Sequence, residues 1–139
     1  MSAMRGAAAY GRGASAYAKV GVESGVMSAS PHQLIVMLFD GALAAIRTAR
    51  IHLQNGNSSE KGKAISKALD IVNNGLAAAL DTEQGGEIAA QLGSLYDYVA
   101  RLLLSANLHN DTERLDQAEK LLNDIASAWR DIGDHGARG

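Results

Sequence analysis

The chain has 139 residues, of which 47% are apolar and 4% aromatic, with a formal charge of −2 and no cysteine. The length predicts one domain with a single core, and an apolar content made mostly of Ala, Leu, Ile and Val favours closely packed helices. The charge and the short apolar runs argue against binding to nucleic acid and insertion into a membrane, and the lack of cysteine suits a soluble cytoplasmic protein.

The N-terminal region is predicted to contribute little to the core. Residues 1–16 form a leader rich in Gly, Ala and Ser, which we expect to be flexible. A weakly amphipathic stretch follows, with Tyr17 and Val20 among its few apolar residues. Because glycines interrupt this stretch, we expect a short helix or an extended arm that lies on another surface.

The first of four long helices is predicted to begin at Pro31, the only proline of the chain. Ser30 suits the N-cap, proline suits the first helical position, and Gln33 suits the third position of a capping box. Apolar residues then recur at three- and four-residue steps as far as about Leu53. A break at Asn55–Gly56–Asn57 ends the pattern.

Three further segments have the same periodicity. The second is predicted to begin near Ser58, with Asn57 as its N-cap. The third follows the pair Gly85–Gly86, which we interpret as a turn. The fourth follows Asn110 and continues to about Ile132.

Each predicted helix has about twenty residues, or roughly 30 Å at the α-helical rise. Short links between helices of equal length favour antiparallel neighbours. The predicted fold is therefore all-α, an antiparallel up-down four-helix bundle with a mobile N-terminal arm or a short extra helix. The bundle is expected to occupy residues 17–132, followed by a disordered tail at residues 133–139.

No motif predicts catalysis. The four histidines are scattered at helix ends and in the C-terminal tail, without the Glu-x-x-His pairs of a di-iron bundle, so we expect no metal and no other cofactor. His52 faintly resembles the phosphorylated residue of histidine phosphotransfer domains. However, Asn55 stands where a lysine is expected, and a solvated histidine near a helix C-terminus explains His52 more simply.

Several predicted helices contain more apolar residues than one core stripe requires, which is about three positions in seven. Some of these residues can widen the core. Together they predict an apolar groove outside it, whose natural partner is another amphipathic helix. The residues are Ile35, Met37, Phe39 and Leu43 in the first helix, Leu69 and Ile71 in the second, and Tyr96, Tyr98, Leu103 and Leu104 in the third.

Glycines inside the predicted helices, at Gly41, Gly62, Gly75 and Gly93, each cost on the order of 1 kcal/mol relative to alanine. Two explanations stay open. The glycines permit close approach of neighbouring helices, or they leave room for the side chains of a partner against the backbone.

Five segments occur in a specific order and spacing. They are VESGVMSASPHQLIVMLFDGAL at 22–43, KGKAISKALDIVNNGL at 61–76, LDTEQGGEIAAQLGSLYDYVARLL at 80–103, ANLHND at 106–111 and AW at 128–129. Together they resemble the flagellin-specific export chaperone family, FliS, from about residue 17 to 132. The long leader and Phe39, where many members have tyrosine, depart from the family pattern.

The resemblance implies a helical bundle that acts without ATP, metal or covalent chemistry. Members bind the disordered C-terminal segment of flagellin in the cytoplasm, prevent its premature polymerisation and deliver it to the flagellar type III export gate. Ordering such a segment costs entropy, which favours a long apolar interface. A weak homodimer of the free protein, a self-associating structural bundle and phosphotransfer by His52 remain as alternatives.

We assign the flagellin contacts to the second and third helices. Tyr17 and Val20 match the family's N-terminal arm, which is expected to act as a lid or to contact the export gate. Asn107 is expected either to bind the partner's backbone or to cap its own helix, and Trp129 is expected to anchor the end of the bundle. The remaining candidates for flagellin binding are Ile65, Ala68, Ile71, Val72, Leu92, Leu95, Tyr96, Val99 and Leu103.

Overall fold

A computed structural model of the protein describes residues 29–138, with side chains described as far as Gly133. In this part of the chain there are four long helices and no strand. They are α1 (Pro31–Gln54), α2 (Ser58–Asp70), α3 (Thr82–His109) and α4 (Thr112–Arg138).

Contacts follow the chain order, because α1 packs on α2, α2 on α3, α3 on α4, and α4 back on α1. The predicted all-α four-helix bundle is confirmed. The predicted leader and the arm residues Tyr17 and Val20 lie outside the described residues.

The start of α1 has the predicted capping box. The Ser30 hydroxyl accepts a hydrogen bond from the Gln33 amide at 3.1 Å, and the Gln33 side chain accepts one from the Ser30 amide at 2.9 Å. Pro31 occupies the first turn, where its missing N–H is not needed. Since every partner lies within four residues, the sequence alone was sufficient to predict this helix start.

The second helix begins at Ser58, as predicted, but its other end differs from the prediction. Asn57 is at the N-cap position, but its side chain makes no capping hydrogen bond. The side-chain nitrogen Nδ2 of Asn57 instead lies 3.3 Å from Nδ1 of His52. At the other end, α2 continues directly into a π-helical segment, Ile71–Ala77, which the sequence did not predict.

The predicted break at the glycine pair is confirmed, because Gly86 has non-helical backbone angles, with φ 53° and ψ −126°, and the long part of α3 follows it. The sequence did not predict the helical turn before the pair. This turn begins at Thr82, because one carboxylate oxygen of Asp81 accepts hydrogen bonds from the amides of Glu83 and Gln84, both at 3.1 Å. The pair Gly85–Gly86 therefore forms a kink between a short first turn and the rest of α3.

The fourth helix is capped by Asp111, whose carboxylate accepts a hydrogen bond from the Glu113 amide at 3.0 Å. Asn110, the residue that precedes this cap, ends α3 in the left-handed conformation with φ 51° and ψ 46°. The helix α4 continues beyond Ile132 to Arg138. Residues 133–138, expected to be a disordered tail, are therefore helical in the structure.

Charged side chains join α1 to α4 along the length of the bundle. Arg50 contacts Asp116 at 2.9 Å and also pairs with Glu119, which receives a further bond from Arg47 at 2.7 Å. Burial alone would raise the pKa of Glu119, but hydrogen bonds from the two arginines, together with their charges, lower this pKa below its ordinary value. Arg130 pairs with Asp40 nearer the other end.

The start of α1 and the last turns of α4 are locked by a reciprocal contact. His32 Nε2 donates to the carbonyl oxygen of Trp129 at 2.7 Å, and Trp129 Nε1 donates to the carbonyl oxygen of His32 at 3.2 Å. The two rings also stack, with centroids 4.5 Å apart. This arrangement agrees with the expectation that Trp129 anchors the end of the bundle.

Candidate functional site

The ten residues predicted to contact flagellin divide into an interior set and a surface set. Four reach the surface, of which Leu95 is exposed and Ile71, Leu92 and Asn107 are half-buried. The other six are buried in the core, because α2 and α3 turn those side chains toward each other and toward the rest of the bundle: Ile65, Ala68, Val72, Tyr96, Val99 and Leu103. Flagellin binding by any of the ten stays a prediction.

The apolar residues that the sequence has beyond one core stripe occupy two kinds of position in the structure. Five of its members enlarge the core, and in particular the rings of Phe39 and Tyr96 meet with centroids 6.3 Å apart. Three members are exposed, namely Met37, Tyr98 and Leu104. The five that join the core are Ile35, Phe39, Leu43, Tyr96 and Leu103.

The third helix presents exposed apolar side chains on two flanks of its solvent face. Leu104 and Leu108 are four residues apart and therefore adjacent, with 56% and 77% of their surfaces exposed. Leu95 and Tyr98, three residues apart, form a second pair. Because nine residues turn an α-helix by two and a half turns, Leu104 lies roughly opposite Leu95 around the helix axis.

The Leu104 flank lies on the side of α3 that contacts α2. Asn107 is one turn further along this flank, and its carbonyl oxygen accepts a hydrogen bond from the Lys61 ammonium at 2.9 Å. The same ammonium donates to Oδ1 of Asn110 at 2.6 Å, and Lys61 is buried. The residue that caps α3 is therefore Asn110, and the prediction of a cap at Asn107 is wrong.

The intrahelical glycines do not mark strict steric limits. A Cβ atom at Gly41 would lie 3.4 Å from Ile71 Cδ1, and one at Gly93 would lie 3.7 Å from Leu80 Cδ1. At Gly62 the nearest atom, in the Asn107 side chain, would be 4.0 Å away. These are ordinary van der Waals distances, so alanine fits at these three positions without displacing a neighbour.

The described residues contain no group of three or more His, Asp or Glu side chains able to hold a metal ion. Among the helices of that same part of the chain, none is long and apolar enough to cross a membrane. Exposed apolar side chains on α3 are the surface feature considered for binding. Sequence reasoning missed Leu108, although its four-residue spacing from Leu104 was a usable signal.

Comparison with known proteins identifies the family of the chain. The family model described as flagellar protein FliS matches residues 13–136. The flagellar secretion chaperone FliS of Salmonella typhimurium is 58% identical over 120 residues, which cover 86% of this chain and 89% of that protein. The Escherichia coli protein of the same name is 47% identical over 120 residues, covering 86% and 88%, and that of Bacillus subtilis is 32% identical over 108 residues, covering 78% and 79%. The chain belongs to the FliS family.

Proposed function

We propose that the chain is a cytoplasmic export chaperone that binds the disordered C-terminal segment of flagellin, prevents premature polymerisation and delivers flagellin to the flagellar type III export gate. The observation that carries this proposal is the family match along residues 13–136, with relatives named flagellar secretion chaperone. The role is that of a chaperone and not of an enzyme.

The physical support comes from α3. Exposed apolar patches on a protein surface are typical of interaction sites, because a partner can bury them. Leu104 and Leu108 offer one such patch, and Leu95 and Tyr98 offer another. An amphipathic helix in the partner provides anchors at three- and four-residue steps, which is the spacing within both pairs.

The two sets of predicted contacts have different roles in this proposal. Ile71, Leu92, Leu95 and Asn107 contact flagellin directly, because they reach the surface. The six buried residues define the shape of the α2–α3 surface and act through packing. Tyr17 and Val20 lie outside the described residues, and the role proposed for them is that of a lid over the apolar surface before flagellin binds, or of a contact with the export gate.

The first test is calorimetric titration of the full chain with a peptide of about 40 residues from the C-terminus of flagellin, a length that allows a long folded interface. We expect one-to-one binding, a gain of helix by circular dichroism and a negative heat-capacity change. A peptide of the same composition in scrambled order is the control. Failure of the native peptide to bind would contradict the proposal.

Two variants then test the placement of the surface. Leu104→Glu removes an apolar side chain about half of whose surface is exposed and would be buried by flagellin. Burial of that surface corresponds to roughly 1.4 kcal/mol of binding free energy, so we expect about tenfold weaker binding. Leu95→Glu tests the opposite flank in the same way. Asn123→Glu, on the exposed polar face of α4, is the matched control. Affinity unchanged by both leucine variants would refute this surface while leaving the chaperone role intact.

A further inference from the structure

The sequence contains two Asn–Gly pairs, and the structure places them in very different surroundings. Of the seven asparagines of the chain, Asn55 and Asn74 are the two followed by glycine. Asparagine is among the chemically labile residues of proteins, and a following glycine increases this lability because it has no side chain to obstruct ring closure. The surroundings of each pair therefore decide whether its asparagine reacts in the folded protein.

The first pair lies in the link between α1 and α2. Asn55 is the C-cap of α1, is exposed, and makes no side-chain hydrogen bond to any residue that the structure describes. Gly56 has φ 75°, and a Cβ atom there would meet no atom within 4 Å beyond its chain neighbours. The amide of Gly56 donates to the Leu53 carbonyl oxygen at 3.2 Å. Because the last turn of a helix opens more readily than its interior, this bond is a weak barrier to reaction.

The second pair is held in the π-helical segment. The side-chain nitrogen of Asn74 donates to a carboxylate oxygen of Asp70 at 2.7 Å, and Gly75 is buried. The same segment packs on α1 and α3 and places Val72 and Leu76 in the core. Reaction of Asn74 would require the loss of its hydrogen bond and local unfolding of a packed segment, which makes this pair the protected one.

We propose that Asn55 is a site of spontaneous deamidation and isoaspartate formation in the folded chain. The backbone nitrogen of Gly56 attacks Cγ of Asn55 and forms a C–N bond, which closes a succinimide ring. The bond between Cγ and Nδ2 breaks, and Nδ2 leaves as ammonia with the proton that the Gly56 nitrogen has lost. Water then opens the ring, giving aspartate by addition at Cγ or isoaspartate by addition at the backbone carbonyl carbon of Asn55. The steps involve no oxidation or reduction, and water is the co-reactant.

The products lie where they weaken the link between α1 and α2. The amides of Asn55, Gly56 and Asn57 all donate to carbonyl oxygens in the last turn of α1. Isoaspartate continues the main chain through its side chain and so adds one atom to the backbone, which displaces the amides that follow. Both products also place a carboxylate at the C-terminal end of α1, where the helix dipole disfavours negative charge. The modified chain is therefore less stable than the original one.

The test measures where deamidation occurs in the full chain. The folded protein is incubated in mildly alkaline buffer well below its Tm, and peptides that cover each Asn–Gly pair are followed over several weeks by mass spectrometry. Isoaspartate is identified with an isoaspartyl methyltransferase, which transfers a methyl group from S-adenosylmethionine to the new carboxylate. We expect deamidation at least about tenfold faster at Asn55 than at Asn74, because the reactive groups at Asn55 need little opening.

The unfolded chain is the matched control. In concentrated urea the two pairs should react at rates within about twofold of each other, because each asparagine is followed by glycine and neither is protected. Asn55→Gln should remove most of the methyl incorporation by the folded protein, since glutamine closes the corresponding ring far less readily. Asn74→Gln should leave this incorporation unchanged.

The stability of the incubated samples gives a second readout. The Tm of the wild type, followed by circular dichroism, should fall as isoaspartate accumulates, whereas that of Asn55→Gln should stay constant. Similar rates at Asn55 and Asn74 in the folded protein, or deamidation of both only in urea, would overturn the proposal. A constant Tm in wild type with modified Asn55 would overturn the assigned effect on the link.

Discussion

The buried ammonium group of Lys61 offers a quantitative test of how α2 is held to α3. Lys61→Met keeps the apolar stem of the side chain but removes two hydrogen bonds, to the Asn107 carbonyl oxygen and to Asn110 Oδ1. Each hydrogen bond from a charged donor contributes about 1.5–3 kcal/mol, and relief of the buried charge offsets part of the sum. We expect a net loss of about 2 kcal/mol, or roughly 8 °C in Tm.

The assay is urea unfolding at pH 7, followed by circular dichroism. Lys63→Met is the matched control, since Lys63 is exposed and pairs with Glu60 at 3.3 Å, and it should change stability by less than about 0.5 kcal/mol. Asn110→Gly keeps the left-handed backbone but removes the acceptor, so Lys61→Met should cost about 1 kcal/mol less in that background. Equal losses for the two lysine variants would refute the assigned role of Lys61.

Three further substitutions test local features. The pKa of Glu119 is lowered in the folded state. Its contribution to the free energy of unfolding is therefore present above its unfolded pKa of about 4.3 and is lost as the pH falls through the folded pKa. In urea titrations, the difference in stability between wild type and Glu119→Gln should be larger at pH 7 than at pH 3. Gly133→Ala should lower stability by about 1–3 kcal/mol, because the added Cβ atom would overlap the His32 imidazole. Gly93→Ala should be neutral or stabilising by up to about 1 kcal/mol. Similar shifts in Tm for the two variants would contradict this reasoning. Ser30→Ala should cost about 1 kcal/mol in thermal unfolding, and no loss would show that the capping box contributes little.

The helices that were predicted well are those whose ends depend on local contacts. The capping box at Ser30 is complete within four residues, so composition and spacing were enough. At α3 the glycine pair correctly indicated a break, but the helical turn before the pair was missed, although Asp81 followed three residues later by Gln84 was a usable cap signal. The π-helical segment was not predictable from spacing, because its buried residues Val72 and Leu76 fit an α-helical pattern equally well.

The candidate site shows a different limit. The periodicity of α3 placed Tyr96 among the apolar residues outside the core stripe, and this placement is wrong. In the structure Tyr96 is fully buried and Leu95 is exposed. The rotation of α3 that makes this choice depends on packing against Phe39, which is 57 positions earlier in the chain. Tertiary contacts of that kind leave no signal in a single sequence.

The π-helical segment has a consequence for how chain length can vary within this fold. A π-helix accommodates more residues per turn than an α-helix, so Ile71–Ala77 contains residues beyond those an α-helix would need over the same rise. Deleting one residue here tightens the turn into an α-helix and leaves the flanking helices in register. In related sequences, deletions of a single residue are therefore expected to occur between Ile71 and Ala77. Such deletions change the local winding of the backbone but not the packing of α2 on its neighbours.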